Sequence, residues 1–195
     1  MLGFGPFYHM FKIVENERAE EFDVWKRFGE GQGTVDDLDR LFKDCKSVLD
    51  YPAAMYAEQV YKAYPDAKFI LTVRDYERWE PSFKSTIGAM NPILAAANQS
   101  KLTPTIRGMS SWWMSYGPLG SRTGETDLRQ FFDKHNELVK KLIPPEQLLV
   151  YKVGEGWSRL VEFLGVSEPS EPFPHINDTN DFMKVREELE RATKE

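Results

Sequence analysis

Three side chains combine the chemistry and the spacing for work on an anionic substrate: Arg74, Ser82 and His9. A guanidinium is a planar fork of donors that can hold two oxygens of one phosphate at once. Ser82 follows eight positions later, two helical turns on, and its hydroxyl could donate to the same group. The competing reading pairs Arg74 with Asp75 or Glu77, as surface ion pairs that carry little energy often do. His9 is the first of three histidines. Imidazole is the usual group for removing a proton near neutral pH, yet a lone histidine among aromatics such as Phe7, Tyr8 and Phe11 is more often a hydrogen-bonded core residue than a catalyst.

The elements that must hold these groups follow from pattern. Phe69-Ile70-Leu71-Thr72-Val73 is a short apolar, β-branched run after the turn signal Tyr64-Pro65-Asp66-Ala67. This is the profile of a strand buried on both faces, as in a parallel sheet. Helical spacing resumes with Trp79, Phe83 and Ile87, so Arg74 stands where a parallel strand gives way to a helix. Open α/β folds bind their ligands at that carboxyl edge.

Elsewhere the pattern predicts a helix from Asn16, as cap, to Phe28, closed by the glycines of 29–33. Further helices are expected from Thr34 through Cys45 and from Ala53 to Tyr64, with Asp50-Tyr51-Pro52 as a break between them. The helix after Trp79 is expected to end at Asn91-Pro92. Short helices over Ile93–Ala97 and Ile106–Met114, with Trp112 and Trp113, form an aromatic insert, either a lid over an apolar acceptor or a packing layer. An N-cap at Thr126 or Asp127 opens an amphipathic helix to Leu142 that carries His135 as a structural residue. Gln147 to Tyr151 is a second strand, and Trp157 to Leu164 a helix closed by Gly165. Residues 169–174 read as extended, and Asp181 to Lys194 as a charged helix. Two strands are too few for a sheet covered on both sides, so a strand is missing or hidden.

Composition narrows the function classes. A chain of 195 residues fits one domain with a substantial core. A net charge of −6 argues against a general nucleic-acid binder. The single cysteine, Cys45, excludes an internal disulfide and a cysteine-rich metal site, and reads as a buried structural thiol. No apolar run approaches the roughly 18 residues of a membrane span, and the first residues lack a signal-peptide pattern. A cytoplasmic protein that binds neither membrane nor nucleic acid is expected.

Several motifs, in order, resemble a known family. They are Leu2-Gly3-Phe4-Gly5-Pro6-Phe7-Tyr8-His9-Met10, the run from Tyr64 to Asp75 with Trp79 and Ser82, His135-Asn136-Glu137, Leu148 to Tyr151, Glu155-Gly156-Trp157, Phe163 to Val166, Pro172-Phe173-Pro174 and Asn177-Asp178-Thr179. The chain resembles the fungal and bacterial sulfotransferase-like P-loop proteins, small relatives of the sulfotransferases that use 3′-phosphoadenosine-5′-phosphosulfate (PAPS). The resemblance implies an α/β fold with a P-loop NTPase-like parallel sheet, flanking helices and a helical insert. It implies sulfuryl transfer from PAPS to a hydroxyl of a small-molecule acceptor, with no metal. Arg74 and Ser82 would bind the donor's 3′-phosphate, which 3′,5′-adenosine bisphosphate shares, and His9 would deprotonate the acceptor.

The family also begins with a strand and a loop of the form Gly-x-x-Arg-Thr-Gly-Thr, which cradles the donor's 5′-phosphosulfate at a helix N-terminus. This sequence starts after that point, and the glycines of 29–33 and 120–124 do not replace the loop. The expectation is an incomplete sheet in a chain truncated relative to the family. Its bearer is either a sulfotransferase or a non-catalytic or repurposed member, for example in fungal secondary metabolism.

Overall fold

Parallel strand pairs carry the residues of interest, and each pair points its carboxyl end toward one of the expected groups. In the computed structural model, which describes residues 1–174, β3 (Phe69–Val73) pairs in parallel with β4 (Leu148–Lys152), Val73 opposite Lys152. Two strands that the sequence pattern did not mark are also there. β1 (Phe7–Tyr8) pairs in parallel with β2 (Ser47–Val48), two residues each. The expected helix at 181–194, the Asn177-Asp178-Thr179 motif and the third histidine lie outside the described residues.

β3 departs from the expectation of burial on both faces. Leu71 packs with Val139 and Ile143 from α8 (Leu128–Leu142) and the residue after it. On the other face Ile70 is 40% exposed and Thr72 is open. The reason is lateral: β4 lies on one side of β3, and α9 (Ser158–Leu164), closed by left-handed Gly165, packs on β4. The half-open strand therefore keeps an apolar sequence without full apolar surroundings.

The first helices correct the reading of Asn16. Rather than opening a helix, Asn16 closes α1 (Met10–Glu15), its side-chain amide donating to the Lys12 carbonyl (2.7 Å). α2 (Glu20–Gly29) then presents Phe22, Trp25 and Phe28 to the core. Gly29 ends α2 against α7, where a Cβ would run into the Tyr116 ring. α3 (Val35–Phe42) starts as expected at Thr34, which forms a reciprocal capping box with Asp37. It stops at Phe42, so Cys45 lies beyond the helix, half-buried, on the way into β2.

A 3-10 turn (Ala53–Tyr56) runs into α4 (Ala57–Ala63). α5 (Tyr76–Ser85) follows β3, and α6 (Ile87–Ala96) follows α5. The break falls at Thr86, before the expected stop, and Pro92 lies inside α6. The Thr86 hydroxyl donates to the Ser82 carbonyl (2.6 Å) and competes there with the helical ladder. Asn91 is engaged instead by Trp113, whose Nε1 donates to its side-chain oxygen (2.7 Å).

α7 (Pro104–Tyr116), capped by Thr103, settles the role of its part of the insert. Trp112, Trp113 and Tyr116 are buried against α2 and its neighbours, so this helix is a packing layer. α8 is capped by Asp127, whose carboxylate accepts from the Gln130 N–H (2.9 Å). Its Phe132 meets Tyr76 and Trp79 of α5, whereas Leu138 is 46% exposed and off the packed face. Among the described residues no helix is long and apolar enough to cross a membrane.

The glycine stretches fall where the sequence suggested. Residues 29–33 join α2 to α3, and 120–124 lie in the connection from α7 to α8. Both are helix-to-helix links, unlike the strand-to-helix turn of a phosphate cradle.

Candidate functional site

At the carboxyl end of β3 the charges sort themselves in an informative way. Asp75 faces Lys152 of β4, 3.6 Å away, and Glu77 faces Arg129 of α8 at 3.4 Å. Both acidic neighbours of Arg74 are thus engaged elsewhere. Arg74 is exposed, and among the described residues no hydrogen bond or ion pair joins its guanidinium. The ion-pair reading of Arg74 fails on geometry, and an uncompensated cation remains at the sheet edge.

Ser82 lies on α5, half-buried, on the same helix face as Arg78 one turn earlier. α5 is oriented by an aromatic stack: Trp79 on Phe83 at 4.9 Å, and Phe132 of α8 against Trp79 at 4.8 Å. Arg129 lies over the Tyr76 ring at 4.6 Å. Beside this stack opens a cleft of about 470 Å³, lined by Tyr76, Glu80, Phe83, Lys84, Asn91 and Arg129 among others. Arg74, Ser82 and His9 are not part of its lining.

His9 stands at the carboxyl end of β1 and caps α1. Its Nδ1 accepts the Phe11 N–H (3.1 Å), which fixes the neutral ring with its proton on Nε2. That Nε2 is 3.4 Å from the Asp50 carboxylate. The ring is stacked on Phe11 at 5.3 Å and meets Phe7 edge-on at 6.4 Å. Both nitrogens therefore already have neighbours, which the sequence did not indicate.

Asp50 is the residue that pattern reasoning missed. It lies just past β2, with a left-handed backbone (φ 54°). The Leu49 N–H donates to the Tyr8 carbonyl (2.9 Å) and the Met10 N–H to the Tyr51 carbonyl (3.0 Å). These bonds extend the β1–β2 ladder and hold His9 and Asp50 opposite each other. Partial burial raises the Asp50 carboxyl above the usual carboxylate range, against the pull of His9 and of the Tyr51 backbone N–H. In sequence Asp50 read as a break before Pro52, and only the strand pairing reveals its partner.

A buried network anchors this end. Tyr8 donates to Glu21 (2.7 Å), Trp25 Nε1 donates to the Tyr8 hydroxyl (2.7 Å), and Arg18 pairs with Glu21 (2.8 Å). Burial raises both the Tyr8 hydroxyl and the Glu21 carboxyl above their ordinary ranges. Two further titratable side chains are withdrawn from solvent. His135 is half-buried, and burial lowers its imidazole. Tyr151 is buried and donates to the Gly156 carbonyl (2.8 Å).

The structure thus assembles two ends. It brings His9 to Asp50 at β1–β2, and Arg74 to the edge of β3 with Ser82 on the next helix. Among the described residues no hydrogen bond or ion pair links the two ends.

A known family covers most of the chain. Its profile, a sulfotransferase domain, matches residues 1–182. Ava biosynthesis cluster protein M of Aspergillus versicolor is similar, 30% identical over 182 residues, covering 86% of this chain and 66% of that protein. The chain spans about two thirds of that relative's length. With the profile matching all but the last residues, the chain belongs to the sulfotransferase-domain family.

Proposed function

We propose that this chain carries the 3′-phosphate grip and the proton-removing end of a sulfotransferase acting on a small-molecule hydroxyl, with PAPS as donor. The free Arg74 guanidinium carries the proposal. Its acidic neighbours are occupied by Lys152 and Arg129, so its charge is available to a phosphate. Ser82 adds a hydroxyl on the helix that follows. A bidentate guanidinium contact fits a terminal phosphate, and the sheet's carboxyl edge is where such ligands sit. When bound, PAPS supplies a sulfuryl group already activated on a phosphate leaving group. The chain's own task is then to hold the nucleotide end and to receive the hydroxyl proton at the His9–Asp50 pair.

The parallel pairing within each of the two strand pairs is in keeping with the parallel sheet of a P-loop NTPase-like fold. The relative's name ties that protein to a biosynthesis cluster. For this chain we propose a corresponding role in fungal secondary metabolism.

Titration calorimetry with 3′,5′-adenosine bisphosphate tests the phosphate grip. Arg74→Ala is expected to weaken binding by about 10- to 100-fold, the worth of a charge-assisted contact. Ser82→Ala is expected to cost about 5-fold, as for a neutral hydrogen bond. Equal binding by wild type and Arg74→Ala removes the assignment. Absence of binding by the wild type favours a family member repurposed away from the donor.

A further inference from the structure

The His9–Asp50 pair is arranged the other way round from a histidine base held by a carboxylate. In that arrangement one ring nitrogen donates to the carboxylate and the other is open to the substrate. Here the second nitrogen, Nδ1, is taken by the Phe11 N–H, and the first faces Asp50. His9 is 21% exposed against 46% for Asp50.

We propose that Asp50 is the group that takes the acceptor's proton and that His9 is its positioning residue. This rests on the sulfotransferase reading above. A carboxylate has about four lone-pair sites, and the groups acting on it are the His9 imidazole and the Tyr51 backbone N–H. The sites left over, on a side chain 46% exposed, are open to a hydroxyl. The left-handed backbone at Asp50 points the same way. Aspartate is one of the few non-glycine residues that adopt φ 54°, and here the conformation turns its side chain out of the strand end. The two ladder bonds from Leu49 and Met10 enforce it here. Exposed Phe7, Phe11 and Leu49 give the pair an apolar rim that suits the hydrocarbon body of an alcohol or phenol.

The step balances simply. The acceptor's O–H bond breaks, its proton passes to a carboxylate oxygen of Asp50, and its electron pair stays on the oxygen. That pair forms the new bond to sulfur as the donor's phosphate departs with the electrons of the old S–O bond. The carboxylic acid then returns its proton to solvent. A raised carboxyl makes a stronger base, in keeping with this role.

Asp50→Asn is the informative variant, because asparagine tolerates the left-handed backbone and cannot accept the proton. Two phenols serve as probes with PAPS at pH 8. One is 2-naphthol, which arrives protonated, and the other is p-nitrophenol, which arrives largely ionised. Asp50→Asn is expected to lower kcat about 1,000-fold for 2-naphthol and less than about 10-fold for p-nitrophenol, with an unchanged melting temperature. His9→Asn, which preserves the cap on α1, is expected to lose about 10-fold with 2-naphthol. Equal losses for the two phenols in Asp50→Asn, or a loss in His9→Asn as large as that in Asp50→Asn, overturn the proposal.

A second readout stands apart from turnover. In protein labelled with ¹³C at the aspartate carboxyls, the Asp50 signal should shift on adding 2-naphthol alone, and its titration should move to higher pH in His9→Asn. If wild type transfers sulfuryl to neither phenol, the sulfotransferase reading falls. The carboxyl signal then decides the proton-acceptor role alone: a shift with 2-naphthol supports it and no shift overturns it.

Discussion

Trp25→Ala is expected to destabilise the protein by about 4 kcal/mol, within the range for emptying a buried tryptophan site. Trp25 is fully buried, stacked on Tyr56 at 5.5 Å and in ring contact with Phe28 and Phe42. The alanine variant leaves a cavity that these rings cannot all collapse into. It also takes from the Tyr8 hydroxyl the donor that Trp25 Nε1 supplies. At this chain length the melting temperature should fall by roughly 12 °C. Trp25→Phe separates the two effects: the ring volume is largely kept and the lost hydrogen bond costs about 1 to 2 kcal/mol. Calorimetric melting of both variants checks the ratio, and equal losses would deny the cavity its leading part. The effect should reach the site, because Tyr8 is the residue before His9 on β1.

Asp37→Ala is expected to cost about 3 kcal/mol at neutral pH, for a different reason. The Asp37 side chain is fully buried, with the Thr34 N–H (3.0 Å) and hydroxyl (2.9 Å) donating to it. Arg27 pairs with it at 3.0 Å, and Arg40 makes a further close contact. The variant removes half the capping box and three charge-assisted partners at once. The cost stays below that of a fully buried pair because Arg27 and Arg40 are 44% and 71% exposed, so water can solvate them once the carboxylate is gone.

Burial alone would raise the Asp37 carboxyl. The Thr34 hydroxyl and N–H, with Arg40 and Arg27, outweigh it and hold the group below the ordinary carboxylate range. A carboxyl lowered on folding contributes stability that is complete above its unfolded pKa and lost as pH falls through its folded one. Urea unfolding of wild type and Asp37→Ala should therefore show a gap that narrows on acidification. Glu21 acts in the opposite sense: raised by burial, it weakens the fold as pH climbs through and above the carboxylate range. A gap that widens toward acid would refute the assignment to Asp37.

How far sequence could reach depended on how much chain each feature spans. β3, α8, β4 and α9 were legible because five or more residues carry an apolar pattern, and Gly165 and Asp127 mark ends by their own chemistry. β1 and β2 have two residues each, too few for any period, so the Phe7–Ser47 and Tyr8–Val48 pairing emerges only in three dimensions. Pro92 read as a stop, yet a side-chain bond at Thr86 breaks the helix first. Arg74 was recognisable as a candidate from its place after a strand. That it is unpaired depends on Lys152 and Arg129, which are distant in the chain. Asp50 resembled punctuation because aspartate before an X-Pro step commonly marks a turn.

The two ends of the site rest on apolar clusters of unequal size. His9 and Asp50 are braced by the large one built on Tyr8, Trp25, Phe42 and Trp112, whereas β3 rests on Leu71, Val139 and Ile143. Opening free energies track the apolar contacts that must be broken, so amide protons around β1 should survive longest in deuterated solvent and those of β3 should exchange sooner. A nucleotide gripped at Arg74 would then tighten the looser half, and its binding heat would include the ordering of that half.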